Sequence, residues 1–230
     1  MTSDAGWLGA TWPFVRDWLP APPAVVVEIG CGPVGGFVPM LRAAGYDASG
    51  VDPEAPEGPW YHRVEFERYA APGLAAAVVA SVSLHHVADV GDVLGLAGAA
   101  LASGGTMLVV EWAWERFDDA TARWCFARLL APSDEHKSDE HNWLRHRRDE
   151  WLASGLPWER YLQGWAAAEG LHTGEDIVAE LDARFDRQFL GYGPFFFADL
   201  DGVTEAGEQA AIDAGEIQAN RIGYAGRRRD

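Results

Sequence analysis

Lysine is all but missing from this chain: Lys137 is the only one, and the remaining positive charge is arginine. Basic residues number 18 against 35 acidic ones, a formal charge of −17. A chain so acidic argues against nucleic acid as a partner, since binding a phosphate backbone requires a basic face. The C-terminal GRRRD is the local exception and reads as a solvated chain end. Cysteine is scarce as well. Cys31 and Cys125 alone cannot build a disulfide framework, which points to a reducing, cytoplasmic setting. No run approaches the ~20 apolar residues of a membrane span. The N-terminus, with Asp4 and no basic region, does not read as a signal peptide.

What remains is an ordinary globular composition, 230 residues with 48% hydrophobic and 23% charged, enough for one α/β domain with its own core. Thr11–Leu19 reads as a short N-terminal helix stopped by PAPP. AVVVEI is a short β-branched run of the kind buried in a sheet, followed by a glycine loop and a helix ending at Gly45. DASGVD, YHRVEF, LAAAVVASVSL and TMLVVEWAW supply four more strands, with a helix before the Ser103–Gly105 turn. This alternation predicts a parallel sheet with right-handed crossovers. From Phe117 to Phe185 the chain turns helical and rich in tryptophan, interrupted by a polar loop at LLAPSDEHKSDEHN. Within it Thr173 caps a helix, with Asp176 three residues on. Two further strands, RQFLGYGPFFFADL and EIQANRIGYAGRR, close the chain around a short helix, a spacing that suits a reversed pair at a sheet edge.

The chemistry concentrates in VVVEIGCGPVGG, which contains a literal G-x-G-x-x-G at Gly30, Gly32 and Gly35. Glycines there let backbone N–H groups approach a ligand, and Asp52 at the end of the next strand is placed to accept hydrogen bonds from a ribose. NAD and S-adenosylmethionine (SAM) would both use these features. Glu28 helps separate them: a carboxylate at the strand tip sits awkwardly beside a pyrophosphate but suits the ammonium and sulfonium of SAM.

VVEIGCGPVGG resembles the first motif of the class I SAM-dependent methyltransferases, an acid-x-Gly-x-Gly loop. GVDPE resembles the second, VVASVSLHHVADVGDVL is similar to the segment after strand four in the small-molecule branch, and LASGGTMLVVEW to the turn into strand five. The likeness covers residues 24–114 and, in outline, 187–227. It departs from the pattern where Pro33 and Val34 displace the third glycine and where Ser103 replaces the usual proline.

The resemblance implies a Rossmann-like, mostly parallel seven-stranded sheet of order 3-2-1-4-5-7-6 with helices on both faces. It implies a single domain over 1–230: an N-terminal helix at 11–19, a cofactor half at 24–114, a helical lid inserted between strands five and six at 115–186, and a closing strand pair at 187–230. The cofactor would be SAM, leaving as S-adenosylhomocysteine (SAH), held by Glu28, Gly30, Cys31, Gly32, Asp52, Pro53, Glu67 and Ser81. A small-molecule acceptor, methylated on oxygen or nitrogen, would meet His85, Glu111 and Trp112, with His85 the candidate base. If one histidine only packs, His86 is expected under the sheet. A non-catalytic SAM or SAH binder on the same fold, or an NAD oxidoreductase, would answer to many of the same residues. Either a monomer or a homodimer is compatible. No metal is expected: there is no H-E-x-x-H, and the five-residue spacing of His136, His141 and His146 turns ~140° on a helix, so they share no face.

Overall fold

In the computed structural model, which describes residues 5–69, 73–129 and 143–229, the run Val25–Ile29 forms β1, buried on both faces beyond its first residue. Around it lie β2 (Asp47–Val51), β3 (Tyr61–His62), β4 (Ala75–Ser81), β5 (Leu101–Trp112), β6 (Phe185–Gly193) and β7 (Arg221–Arg228). They make one seven-stranded sheet of order β3-β2-β1-β4-β5-β7-β6. The first five strands are parallel, and β7 runs antiparallel to both β5 and β6.

Alternate side chains of each central strand feed two cores, which is why β1, β4 and β5 read as continuous apolar runs. Val26, Leu108 and Val110 pack with α1 (Ala5–Trp18) and α2 (Val38–Ala43). The same layer takes α4 (Asp119–Phe126), α5 (Trp143–Ser154) and α6 (Trp158–Glu169), which form the body of the cap. Val27, Met107 and Val109 pack with α3 (Val90–Ala100) and α7 (Gly174–Arg184) on the other face. Although α7 falls between strands five and six, it serves the sheet as an ordinary crossover helix. Thr173 caps it, accepting from the Asp176 amide at 3.0 Å. The last helix, α8 (Glu205–Asp213), links β6 and β7.

Two elements depart from the sequence reading. The N-terminal helix starts at least six residues before Thr11, because Trp7, Thr11 and Val15 form a fully buried stripe whose burial outweighs Gly6, Gly9 and Pro13. The third strand shrinks to Tyr61–His62, since Phe66 turns inward on a 3-10 turn instead of continuing the extended run.

Candidate active site

The carboxyl ends of β1, β2, β4 and β5 meet at one edge of the sheet, where ligands of open α/β folds bind. At the tip of β1 the chain leaves through Gly30, at φ +79°, where any Cβ would lie 2.2 Å from the Ser83 Cβ. Only glycine lets the loop press so closely on the end of β4. Glu28 is fully buried beneath the loop, and both its oxygens accept from the Phe37 amide, at 3.0 and 2.8 Å. Gly36, at φ +54°, closes over it; a Cβ there would fall 2.3 Å from the carboxylate. Burial pushes the Glu28 carboxyl up to about 8, despite the amides of Phe37 and Val38, and Asp52 adds to the rise. The first-turn amides of α2 are thus already taken by a carboxyl, and a pyrophosphate placed there would meet it. A nicotinamide dinucleotide fits this loop poorly.

Asp52, at the end of β2, is half-buried and accepts from the amides of Gly32 at 3.1 Å and Glu54 at 2.7 Å. It keeps lone pairs for a diol. The space above Gly32 is open, with nothing within 4 Å of where a Cβ would stand. That opening beside a carboxylate fits an adenosine ribose. Cys31 is buried, and burial with the nearby Glu28 and Asp52 pushes its thiol up, so it acts as a packed, unreactive group. Pro53 and Glu67 are exposed, Glu67 on the 3-10 turn after β3. Ser81 ends β4 with its carbonyl 3.1 Å from the site of a Gly30 Cβ.

Beyond Ser81, Val82 sits at φ +48°, a conformation costly to a β-branched residue, held by its amide on the Val110 carbonyl at 2.8 Å. Glu111, fully buried on β5, holds the turn that follows. Its Oε2 accepts from the amides of Ser83 and Leu84 at 3.0 and 2.8 Å, and its Oε1 meets His85 Nδ1 at 2.7 Å and the Trp112 amide at 2.6 Å. Burial opposes its ionisation, but His85 and the amides outweigh that and hold the carboxyl below its usual range. His85 is the buried histidine and His86 the exposed one, the reverse of the expectation. The reason is Glu111: a buried carboxylate draws in the one ring that can pair with it. His85, Glu111 and Trp112 therefore do come together, and Ser83 links them to the glycine loop.

The sequence reading missed the far wall. Phe195 and Phe196, after β6, pack on Trp112 and Phe117, with Phe195 stacked on Trp112 at 5.9 Å and Phe196 tilted against Phe117 at 4.5 Å. Glu208 of α8 holds this turn by accepting from the amides of Phe195, Phe196 and Phe197. Three successive phenylalanines after a Gly-Pro step were the available signal, since so apolar a turn has to be covered. Tyr61 was missed as well; its hydroxyl lies against Gly35 at the loop. Among the described residues no His, Cys, Asp and Glu group could hold a metal. His146 pairs with Glu150 on α5, while His136 and His141 lie outside the described residues.

A methyltransferase-domain family model matches residues 13–168. No curated protein matches the sequence. Among solved structures, an S-adenosylmethionine-dependent methyltransferase from Mesorhizobium loti is 20% identical with a TM-score of 0.57, covering 95% of this chain and 98% of that one. Geranyl diphosphate C-methyltransferase from Streptomyces coelicolor is 14% identical with a TM-score of 0.55, covering 96% of this chain and 76% of that one. The N-methyltransferase NodS from Bradyrhizobium japonicum, solved with SAH, is 12% identical with a TM-score of 0.54, covering all of this chain and 90% of that one. These solved structures share the fold, and the family model spans more than half of the sequence. The chain belongs to the methyltransferase-domain family, as a class I S-adenosylmethionine-dependent methyltransferase.

Proposed function

We propose that this methyltransferase acts on an oxygen or nitrogen of a small-molecule acceptor enclosed between the sheet and its cap. The observation that carries the reading is the contact of the buried His85–Glu111 pair with an aromatic wall at the tips of β4 and β5, next to the glycine loop. An enclosed wall of rings suits a small apolar body better than a polymer, and the charge of −17 disfavours nucleic acid.

Bound SAM would supply a sulfonium-activated methyl, open to in-line attack by the acceptor heteroatom with SAH as the leaving group. The chain's own contribution is chiefly positioning, which can lower such a barrier by up to ~7–11 kcal/mol. Asp52 would accept from the ribose hydroxyls above Gly32. Glu28 would act from beneath the loop, holding the amides of Phe37 and Val38 in place. The Ser81 carbonyl, the loop backbone at Gly30 and Cys31, and Pro53 would border the cofactor, with Glu67 toward the adenine. His85 would face the acceptor, with Glu111 fixing its ring and Trp112 beside it. The cap would exclude water.

The test is calorimetric titration with SAM, SAH and NAD, on the native protein and on Asp52→Ala. Micromolar binding of SAM and SAH, weakened at least about tenfold by the substitution, is the expected result. Binding of NAD alone, or undiminished SAM affinity in Asp52→Ala, would remove the site described here.

A further inference from the structure

The buried tryptophans divide into two kinds. Trp114, Trp151 and Trp158 donate their indole N–H groups to the carbonyls of His172, Leu156 and Phe117, at 2.9, 2.8 and 2.5 Å. These three are satisfied within the fold. Trp7 and Trp112 are both fully buried, yet their indole N–H groups have no acceptor among the described residues, and neither has His85 Nε2 a partner. Buried polar groups are nearly always paired, and of the seven side-chain atoms without a partner among the described residues these three are linked through successive ring contacts. Trp7 meets Phe195 edge-on at 6.0 Å, Phe195 stacks on Trp112 at 5.9 Å, and Trp112 meets His85 edge-on at 6.0 Å. Trp143, 4.9 Å from Trp112, adds a further ring.

The unpaired atoms have definite chemistry. An indole N–H only donates. Glu111 accepts from His85 Nδ1, so the tautomer this pairing selects carries its proton on Nδ1 and offers Nε2 as a lone pair. The cluster therefore offers two donors and one acceptor within aromatic walls. Its complement is a flat molecule with one protic group and at least one oxygen that accepts.

We infer that the methyl acceptor is an aromatic hydroxy compound bearing a carbonyl or carboxylate oxygen, with its hydroxyl on His85 Nε2 and that oxygen on the indole N–H groups of Trp112 and Trp7. This rests on the methyltransferase reading. In the transfer, Nε2 takes the hydroxyl proton while an oxygen lone pair forms the new O–CH3 bond. The electrons of the broken C–S bond return to sulfur, and the imidazolium, paired with Glu111, later yields its proton to water. Base work is thereby assigned to His85 and positioning to Glu111.

The experiment measures binding of matched probes to the SAH-saturated protein. 4-Hydroxybenzoate and 6-hydroxy-2-naphthoate carry the carboxylate, 4-hydroxybenzaldehyde carries a carbonyl, and phenol, 2-naphthol and benzoate each lack one of the two groups. In at least one ring size, probes carrying both groups should bind at least about tenfold more tightly than those lacking either. The aldehyde set against the acid tells carbonyl from carboxylate. Trp112→Phe should bring the acid and the phenol to within about twofold of each other, weakening the acid more than the phenol. His85→Phe should likewise abolish the advantage of the hydroxy acid over benzoate. Equal binding of all probes by the native protein in both ring sizes, absence of binding included, would overturn the inference, as would equal weakening of every probe in Trp112→Phe. The SAH titration in the same samples separates the two levels: normal SAH binding without probe preference removes only the acceptor assignment, whereas absent SAH binding removes the reading beneath it.

Discussion

Glu28 and Glu111 are two carboxyl groups buried to the same degree and driven in opposite directions. Burial dominates Glu28 and lifts it from 4.5 to about 8. An acid raised on folding holds its proton longer in the native state than in the unfolded one. Its stabilising contribution is complete below pH 4.5 and is lost as pH rises toward 8, at no more than about 1.4 kcal/mol per pH unit. Ligand-free protein should therefore melt at progressively lower temperature between about pH 5 and 8, and Glu28→Gln, which keeps an acceptor for the Phe37 amide, should flatten that slope. Thermal melts across this range check it; an unaltered slope in the variant would mean that Glu28 ionises freely. Glu111, held low by its partners, works the other way and loses its contribution only in acid. At this scale the sequence made Glu28, Asp52, His85 and Glu111 legible as candidates. It could not show that His85 and Glu111, 26 positions apart, would pair, because that contact exists only once β4 and β5 are side by side.

Among the elements, α7 has a local switch of known size. Thr173 accepts from the Asp176 amide and donates its hydroxyl to the Asp176 carboxylate at 2.6 Å. Thr173→Ala should cost about 1 kcal/mol, a fall in melting temperature of roughly 2–4 °C for a chain of this length, with cofactor affinity unchanged. Calorimetric melting measures the first and SAH titration the second; a fall within error would mean that packing of Ile177 and Leu181 alone holds the helix. Such caps, and the apolar strands β1, β4 and β5, are legible because their determinants lie within a few residues. β3 and α1 were misread because theirs do not. Phe66 has a pocket to enter only when α3 is present, and Trp7 becomes helical to reach Phe195, almost the whole chain away. Phe195 itself depends on a carboxylate of α8, which no local pattern announces.

For the whole molecule, a charge of −17 on 230 residues means self-repulsion that folding concentrates. Raising sodium chloride from about 20 to 200 mM, which shortens the screening length from roughly 20 to 7 Å, should raise the melting temperature of the ligand-free protein. No rise would show that the arginine pairs already neutralise the surface locally. Alternation along the chain makes the parallel half of the sheet legible from first principles. The final order does not follow from it, since nothing in residues 185–228 taken alone says which of the two closing strands lies inside.

The inner place belongs to β7, which pairs with β5 on one side and β6 on the other, while β6 has no second partner strand among the described residues. This inversion sets an order of assembly during synthesis. The ribosome releases β6 first, and it has no berth; β5 meanwhile presents an unpaired edge at Thr106–Trp112, the strand that carries Glu111 and Trp112. Only when Arg221–Arg228 emerges do both edges close in one event. A nascent or proteolytically shortened chain ending before Arg221 would thus have all five parallel strands while the edge that carries Glu111 and Trp112 stayed open, a half-finished sheet in the strict temporal sense.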